Sequence, residues 1–170
     1  MSICCIIPAR YNSKRLPGKP LLKIKNQEIL LLTYKQILKQ FDEKDIYVFT
    51  DSKLVVKKLK EKIKNIKFFS KKFTNGTERA SYGTKFIKKN YNAALLVSCD
   101  NPYIGSLAIK KTLDAYKKIK TKDEYCGSTV HCKNKGNINN KHVAKMILDN
   151  NNNVIYISRS KIPYNNKNNF

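Results

Sequence analysis

The sequence predicts an α/β fold: a mostly parallel sheet with helices on both faces and a late β-hairpin. Two continuous apolar runs, residues 3–9 and 93–99, read as strands buried on both faces, because a half-exposed strand alternates polar and apolar residues. Segments with apolar residues at helical spacing fall between the strand-like runs, the alternation that builds parallel sheets. Near the end, two strand-like runs flank four consecutive asparagines, a turn-forming composition. The 170 residues, 41% of them hydrophobic, suffice for one domain with its own core over 1–170.

The elements follow in order. Residues 3–9 are rich in isoleucine and run into a loop punctuated by Pro8, Pro17, Gly18 and Pro20. Residues 28–41 place Leu30, Tyr34, Ile37, Leu38 and Phe41 on one helical stripe. Ile46 to Phe49 form a strand that ends at Thr50 and Asp51, and residues 53–63 repeat the helical spacing. Phe68 and Phe69 close a short strand, and residues 77–90 form an amphipathic helix. The run 93–99 stops abruptly at Asp100-Asn101-Pro102, and 105–119 is helical. Residues 125–132, 143–148 and 154–158 read as strands, the last two joined through Asn150–Asn153.

Composition excludes several classes. No apolar stretch nears the roughly 20 residues needed to span a bilayer, and the N-terminus lacks the basic start and small-residue cleavage site of a signal peptide. No membrane association is expected. The five cysteines (Cys4, Cys5, Cys99, Cys126, Cys132) are odd in number and include no CxxC pair, which favours reduced thiols in a cytoplasmic protein over disulfides or zinc. The formal charge of +23 would ordinarily point to nucleic acid. Here, however, 31 of the 35 basic residues are lysines spread along the chain beside abundant asparagine, a bias of exposed positions and not a groove. No specific nucleic acid partner is expected, only salt-sensitive sticking to polyanions.

Two places carry chemistry. The loop after the first strand holds Arg10, Lys14, Arg15 and Lys19 within ten positions, with Ser13 among them and Gly18 allowing close backbone approach. Fixed cations and backbone amides converging there suit a polyphosphate, whereas the competing reading is a solvated basic turn. The four arginines tip the balance. In a chain where lysine fills almost every cationic position, Arg10, Arg15, Arg79 and Arg159 mark places where a planar fork is needed. The second place is Asp100, at the end of an apolar strand: either a Mg²⁺ ligand beside a triphosphate, or a cap of the turn before Pro102. Ligands of parallel α/β sheets lie beyond the carboxyl ends of the strands, which puts the Arg10–Lys19 loop and Asp100 on one edge. His131 is most simply structural, and His142 stands beside a strand where it meets either ligand or solvent.

On these residues the chain resembles the 3-deoxy-manno-octulosonate (Kdo) cytidylyltransferases. The resemblance runs from residue 3 to about Pro163. Its most specific part is Ile6-Ile7-Pro8-Ala9-Arg10-Tyr11 followed by Ser13 and Arg15-Leu16-Pro17-Gly18-Lys19-Pro20-Leu21. Asn75-Gly76-Thr77-Glu78-Arg79, Lys145 to Asp149, and Ser158-Arg159 with Ile162-Pro163 match later segments. The resemblance implies a Rossmann-like nucleotidyltransferase fold. It also implies attack of the sugar acid's anomeric hydroxyl on the α-phosphate of CTP, with Mg²⁺ as cofactor, yielding the CMP-sugar and pyrophosphate for lipopolysaccharide synthesis. Arg10, Ser13, Arg15 and Lys19 would then hold the triphosphate. Pro8, Ala9, Gly76, Thr77 and Glu78 would frame the cytosine, and Asp100 would bind the metal. Arg79, Ser98, His142, Lys145 and Arg159 would serve the sugar acid. A homodimer is compatible with the family.

The resemblance departs in two respects. Where the family reads Gln-Gly-Asp-Glu-Pro, this chain has Ser98-Cys99-Asp100-Asn101-Pro102, so altered sugar recognition is expected. The family also continues past the position of Phe170, into a portion expected to hold a second metal-binding aspartate. Two other readings therefore stand beside the transferase: a non-catalytic CTP-binding remnant, and a cytidylyltransferase for a related sugar acid.

Overall fold

The computed structural model describes residues 2–12, 16–119, 127–129 and 139–162. The chain divides into two compact units, Met1–Val130 and His131–Phe170. In chain order the first unit contains β1 (Ile3–Ala9), β2 (Lys23–Ile24), β3 (Gln27–Glu28), α1 (Ile29–Ile37), β4 (Ile46–Thr50), α2 (Lys53–Leu59), β5 (Ile66–Phe68), α3 (Gly76–Thr84), β6 (Ala93–Leu96) and α4 (Ser106–Lys118). The second contains β7 (Lys145–Leu148) and β8 (Val154–Ser158).

The predicted parallel sheet is present, in the order β5-β4-β1-β6. The continuous apolar run of β1 follows from cover on both faces. Cys5, Ile7 and Ala9 pack among Leu30, Tyr34 and Ile37 of α1, Val55 and Leu59 of α2, and Ile109 of α4. Cys4 and Ile6 point the other way, into a cluster with Phe49, Phe69, Phe73 and Ala80 of α3. α3 lies so close to the sheet that a Cβ on Gly83 would stand 2.1 Å from the Phe49 ring. It packs over β1 and β4, and on β6 Leu96 is 42% exposed where the apolar run predicts burial.

β6 ends at Leu96, three residues earlier than its apolar run, and the cause lies in β1. Val97 donates its amide to Ile6 O at 3.1 Å. The next rung of a parallel ladder would need the amide of residue 8 to reach Val97 O, and Pro8 has no N–H. The regular ladder ends at that rung.

α1, α2 and α3 are shorter than their periodicity predicts, whereas α4 matches the expected 105–119 to within a residue at each end. α1 gives way after Ile37 to a tight turn, with Lys39 N donating to Gln36 O and Gln40 N to Ile37 O. α3 stops at Thr84. The small β2–β3 hairpin carries no sequence signal. Its turn uses Lys25 and Asn26, both at positive φ (47° and 63°), without the glycine that normally marks such a turn.

In the second unit β7 and β8 pair antiparallel with Lys145 opposite Ser158, as the hairpin reading predicts. The asparagine run forms the turn: Asp149 accepts from Asn151 N, Asn153 N and Asn153 Nδ2, and Asn152 adopts φ 64°. The expected strand at 125–132 falls mostly outside the described residues.

Candidate active site

β1 connects toward β4 on one side while β6 lies on its other side, so the loops leaving β1 and β6 rise next to each other at the carboxyl edge. This is the switch point at which open α/β sheets bind ligands.

The loop after β1 closes on itself. Gly18 N donates to Tyr11 O at 2.9 Å, and Gly18 takes φ 73°, a conformation in which a side chain is strained. Lys19, Pro20 and Leu21 follow as one 3-10 turn anchored by buried Pro20. The turn aims Lys19 at β6, and its ammonium pairs with the Asp100 carboxylate. The Ser98 hydroxyl donates to the other Asp100 oxygen. Below them Thr33 of α1 donates its hydroxyl to Cys99 O at 3.0 Å, which ties the Asp100 turn to the core. Partial burial raises the Asp100 pKa, but the hydrogen bonds from Lys19 and Ser98 and the Lys19 charge outweigh it and hold the carboxyl below its ordinary value. Burial, reinforced by the Asp100 charge, pushes the Cys99 thiol up to about 11, so it is no nucleophile. The Arg10 backbone amide faces that sulfur, while the residue as a whole is exposed. Arg10, Lys19, Ser98 and Asp100 thus share one edge. Ser13 and Arg15 lie outside the described residues.

On the other side of β1, Pro8 meets the start of α3: a Cβ on Gly76 would lie 3.1 Å from Pro8 Cγ. Asn75 caps α3 by accepting from Glu78 N at 2.8 Å, and the Glu78 carboxylate accepts from the Thr74 amide and hydroxyl. Those bonds lower the Glu78 pKa. Pro8, Ala9 and Gly76 are thereby brought together, with Thr77 exposed beside them.

Arg79 turns inward. Its side chain is 4% exposed, with Nη1 donating to Ala9 O at 2.9 Å and Nη2 to Asp51 at 3.1 Å. Where the resemblance implies a sugar-facing arginine, the fork already holds two acceptors of this chain. Asp51 also accepts from Tyr11 N at 2.8 Å. In the second unit the Lys145 ammonium donates to Asn140 O and Arg159 O, at 2.6 and 2.7 Å, at the base of the hairpin. The His142 amide donates to Asn140 Oδ1, and Arg159 is exposed.

Sequence reasoning passes over Asp51 and Thr33. Asp51 carries the same mark as Asp100, an acidic residue at the carboxyl end of an apolar strand; Thr33 carries none, since its partner is a backbone carbonyl 66 positions away. Among the described residues no group of three or more His, Cys, Asp and Glu could hold a metal ion, and Asp100 is the carboxylate at the β1–β6 edge. No helix among the described residues is long and apolar enough to cross a membrane.

Comparison with known proteins places this geometry. Residues 4–170 match the family model described as cytidylyltransferase. An 8-amino-3,8-dideoxy-manno-octulosonate cytidylyltransferase of Shewanella sp. (strain W3-18-1) is 28% identical over 165 residues, and that of Shewanella halifaxensis is 30% identical over 174. Each alignment covers 96% of this chain and 67% of the relative. Among solved structures, a CMP:2-keto-3-deoxy-manno-octonic acid synthetase complexed with CTP superposes with a TM-score of 0.75 at 22% identity, over 96% of this chain and 66% of that one. A cytidylyltransferase from Leptospira borgpetersenii gives 0.53 at 20% identity, over 69% of this chain and 49% of that one. The likeness establishes the nucleotidyltransferase α/β fold. The chain spans about two thirds of the length of the Shewanella relatives and of the synthetase.

Proposed function

Because this chain belongs to the cytidylyltransferase family, we propose that it transfers CMP from CTP to the anomeric hydroxyl of a Kdo-class sugar acid. The class covers 3-deoxy-manno-octulosonate and its 8-amino relative. The observation that carries the reading is the Lys19–Asp100 pair at the switch point, next to the Arg10 backbone amide and beside the Pro8–Gly76 contact. In this reaction the hydroxyl oxygen forms a bond to the α-phosphorus, the α–β phosphoanhydride breaks, the hydroxyl proton leaves to solvent, and pyrophosphate departs. Arg10 and Lys19, with Ser13 and Arg15, hold the triphosphate and offset the charge that develops as the anhydride opens. Pro8 and Ala9 with Gly76, Thr77 and Glu78 frame the base.

Asp100 fits a magnesium ion, which typically takes one or two protein carboxylates and completes its shell with substrate phosphates and water. When bound, Mg²⁺ supplies charge neutralisation on the triphosphate. Lys19 is the natural partner to exchange Asp100 for a phosphate as nucleotide arrives. Ser98 stands where the family resemblance implies glutamine and is engaged with Asp100, which supports an acceptor differing from Kdo itself.

The test is incubation with CTP, Mg²⁺ and either Kdo or its 8-amino analogue, following pyrophosphate. Release with one acceptor and not the other identifies the substrate. CTP binding without release from either, in the chain extended to the relatives' full length, would favour a non-catalytic nucleotide binder. That second reading is favoured by the absence, among the described residues, of any group of three or more His, Cys, Asp and Glu that could hold a metal ion.

A further inference from the structure

We propose that Asp51 is a positioning residue, whose two carboxylate oxygens clamp the neck of the loop after β1 and so set where Arg10 and Lys19 point. The inference rests on the CTP reading above. Asp51 follows β4, and its side chain is 18% exposed. One oxygen accepts from Tyr11 N at 2.8 Å, and the other accepts from Arg79 Nη2 at 3.1 Å. Arg79 in turn donates Nη1 to Ala9 O at 2.9 Å, and its guanidinium lies 5.4 Å from the centre of the Phe73 ring. Ala9 and Tyr11 are the two residues flanking Arg10. Both are therefore held by one partly buried ion pair, between the residue after β4 and α3. Tyr11 also accepts from Gly18 N, the residue before Lys19, so the same clamp fixes the far end of the loop.

The geometry separates the work of the two groups. Arg79 reaches the strand end and Asp51 reaches the loop, and neither side chain spans both alone. An asparagine at 51 keeps an acceptor for Tyr11 N but leaves the buried Arg79 charge without its partner, a change that is costly in a desolvated place. The loop neck then loosens, and the groups that suffer are those that meet the β- and γ-phosphates.

The experiment is calorimetric titration of the full 170-residue chain with CTP and with CMP, both with Mg²⁺, at a temperature well below melting. The proteins are wild type, D51N, D51E and R79K. We expect D51N to weaken CTP binding by roughly tenfold to a hundredfold, the scale of a lost charge-assisted bond. CMP binding, which does not use the outer phosphates, should change far less, and D51E should recover part of the loss. A folded D51N with the wild-type ratio of CTP to CMP affinity overturns the proposal. If D51N does not fold, R79K decides by the same ratio, and an unchanged ratio overturns it. A wild-type chain that binds no CTP overturns the underlying reading together with this one, whereas normal wild-type binding with an unchanged variant ratio overturns this one alone.

Discussion

Lys19 and Asp100, 81 positions apart in sequence, form an ion pair that joins the loop leaving β1 to the turn leaving β6. Each side chain is about one third exposed, at 32% and 33%. Pairs with that much water contribute only about 0–1 kcal/mol to folding. The pair therefore serves binding more than stability, because a polyanion can take Lys19 from Asp100 at small cost.

Lys19→Ala should accordingly leave the thermal midpoint within a few degrees of wild type while weakening CTP binding by about tenfold or more. Parallel melting and titration check this. A large loss of stability without loss of affinity would contradict it.

Asp100→Asn should act on turnover. If Asp100 anchors the charge-neutralising cation, pyrophosphate release should fall by about a hundredfold to a thousandfold, the scale seen when one electrostatic stabiliser is removed. The Mg²⁺ concentration for half-maximal rate should rise in the same assay.

The lowered Asp100 pKa also sets a pH dependence. The folded state holds this carboxyl below its unfolded value of roughly 3.9, so the unfolded chain binds the proton more readily. Its contribution to stability is complete above about pH 5 and is lost as the pH falls through the folded pKa. The melting temperatures of wild type and D100N should converge as the pH falls from about 5 through the folded pKa, and a constant gap would refute the assignment.

Gly83→Ala tests the packing of α3. The added methyl would meet the buried Phe49 ring at 2.1 Å, in a cluster with Phe69, Phe73 and Tyr82 that leaves it nowhere to turn. The cost should be about 1–3 kcal/mol or more, read as a lower denaturant midpoint at unchanged slope.

The described cysteines should be inert. Cys4 and Cys99 are raised to about 11 chiefly by burial, and Cys5 rises further for the same reason. Iodoacetamide at neutral pH should leave all three unlabelled in peptide maps of the native chain and label them after denaturation.

Much of this architecture was legible because β1, β4 and the helices between them advertise their burial in apolar patterning. The edge shared by Arg10, Lys19 and Asp100 follows from strand polarity alone. What patterning does not reveal is direction. The scarcity of arginine singles out Arg79, but its turn toward Asp51 and Ala9 depends on how α3 lies across β1. Asp51 shows the same difficulty, since its partners Tyr11 and Arg79 are 40 and 28 positions away. The hairpin at 23–28 is hidden for another reason, because Lys25 and Asn26 do a job that the sequence rules assign to glycine.

Pro8 has a consequence for the width of the cleft. A sheet seam whose next rung lacks a donor cannot zip further, whatever the neighbouring side chains do. The rung missing between β1 and β6 is therefore set by the covalent structure of one ring, which neither heat nor salt alters. Any residue with an amide hydrogen at position 8 would offer Val97 its missing donor and let the strands draw together toward Ser98 and Asp100.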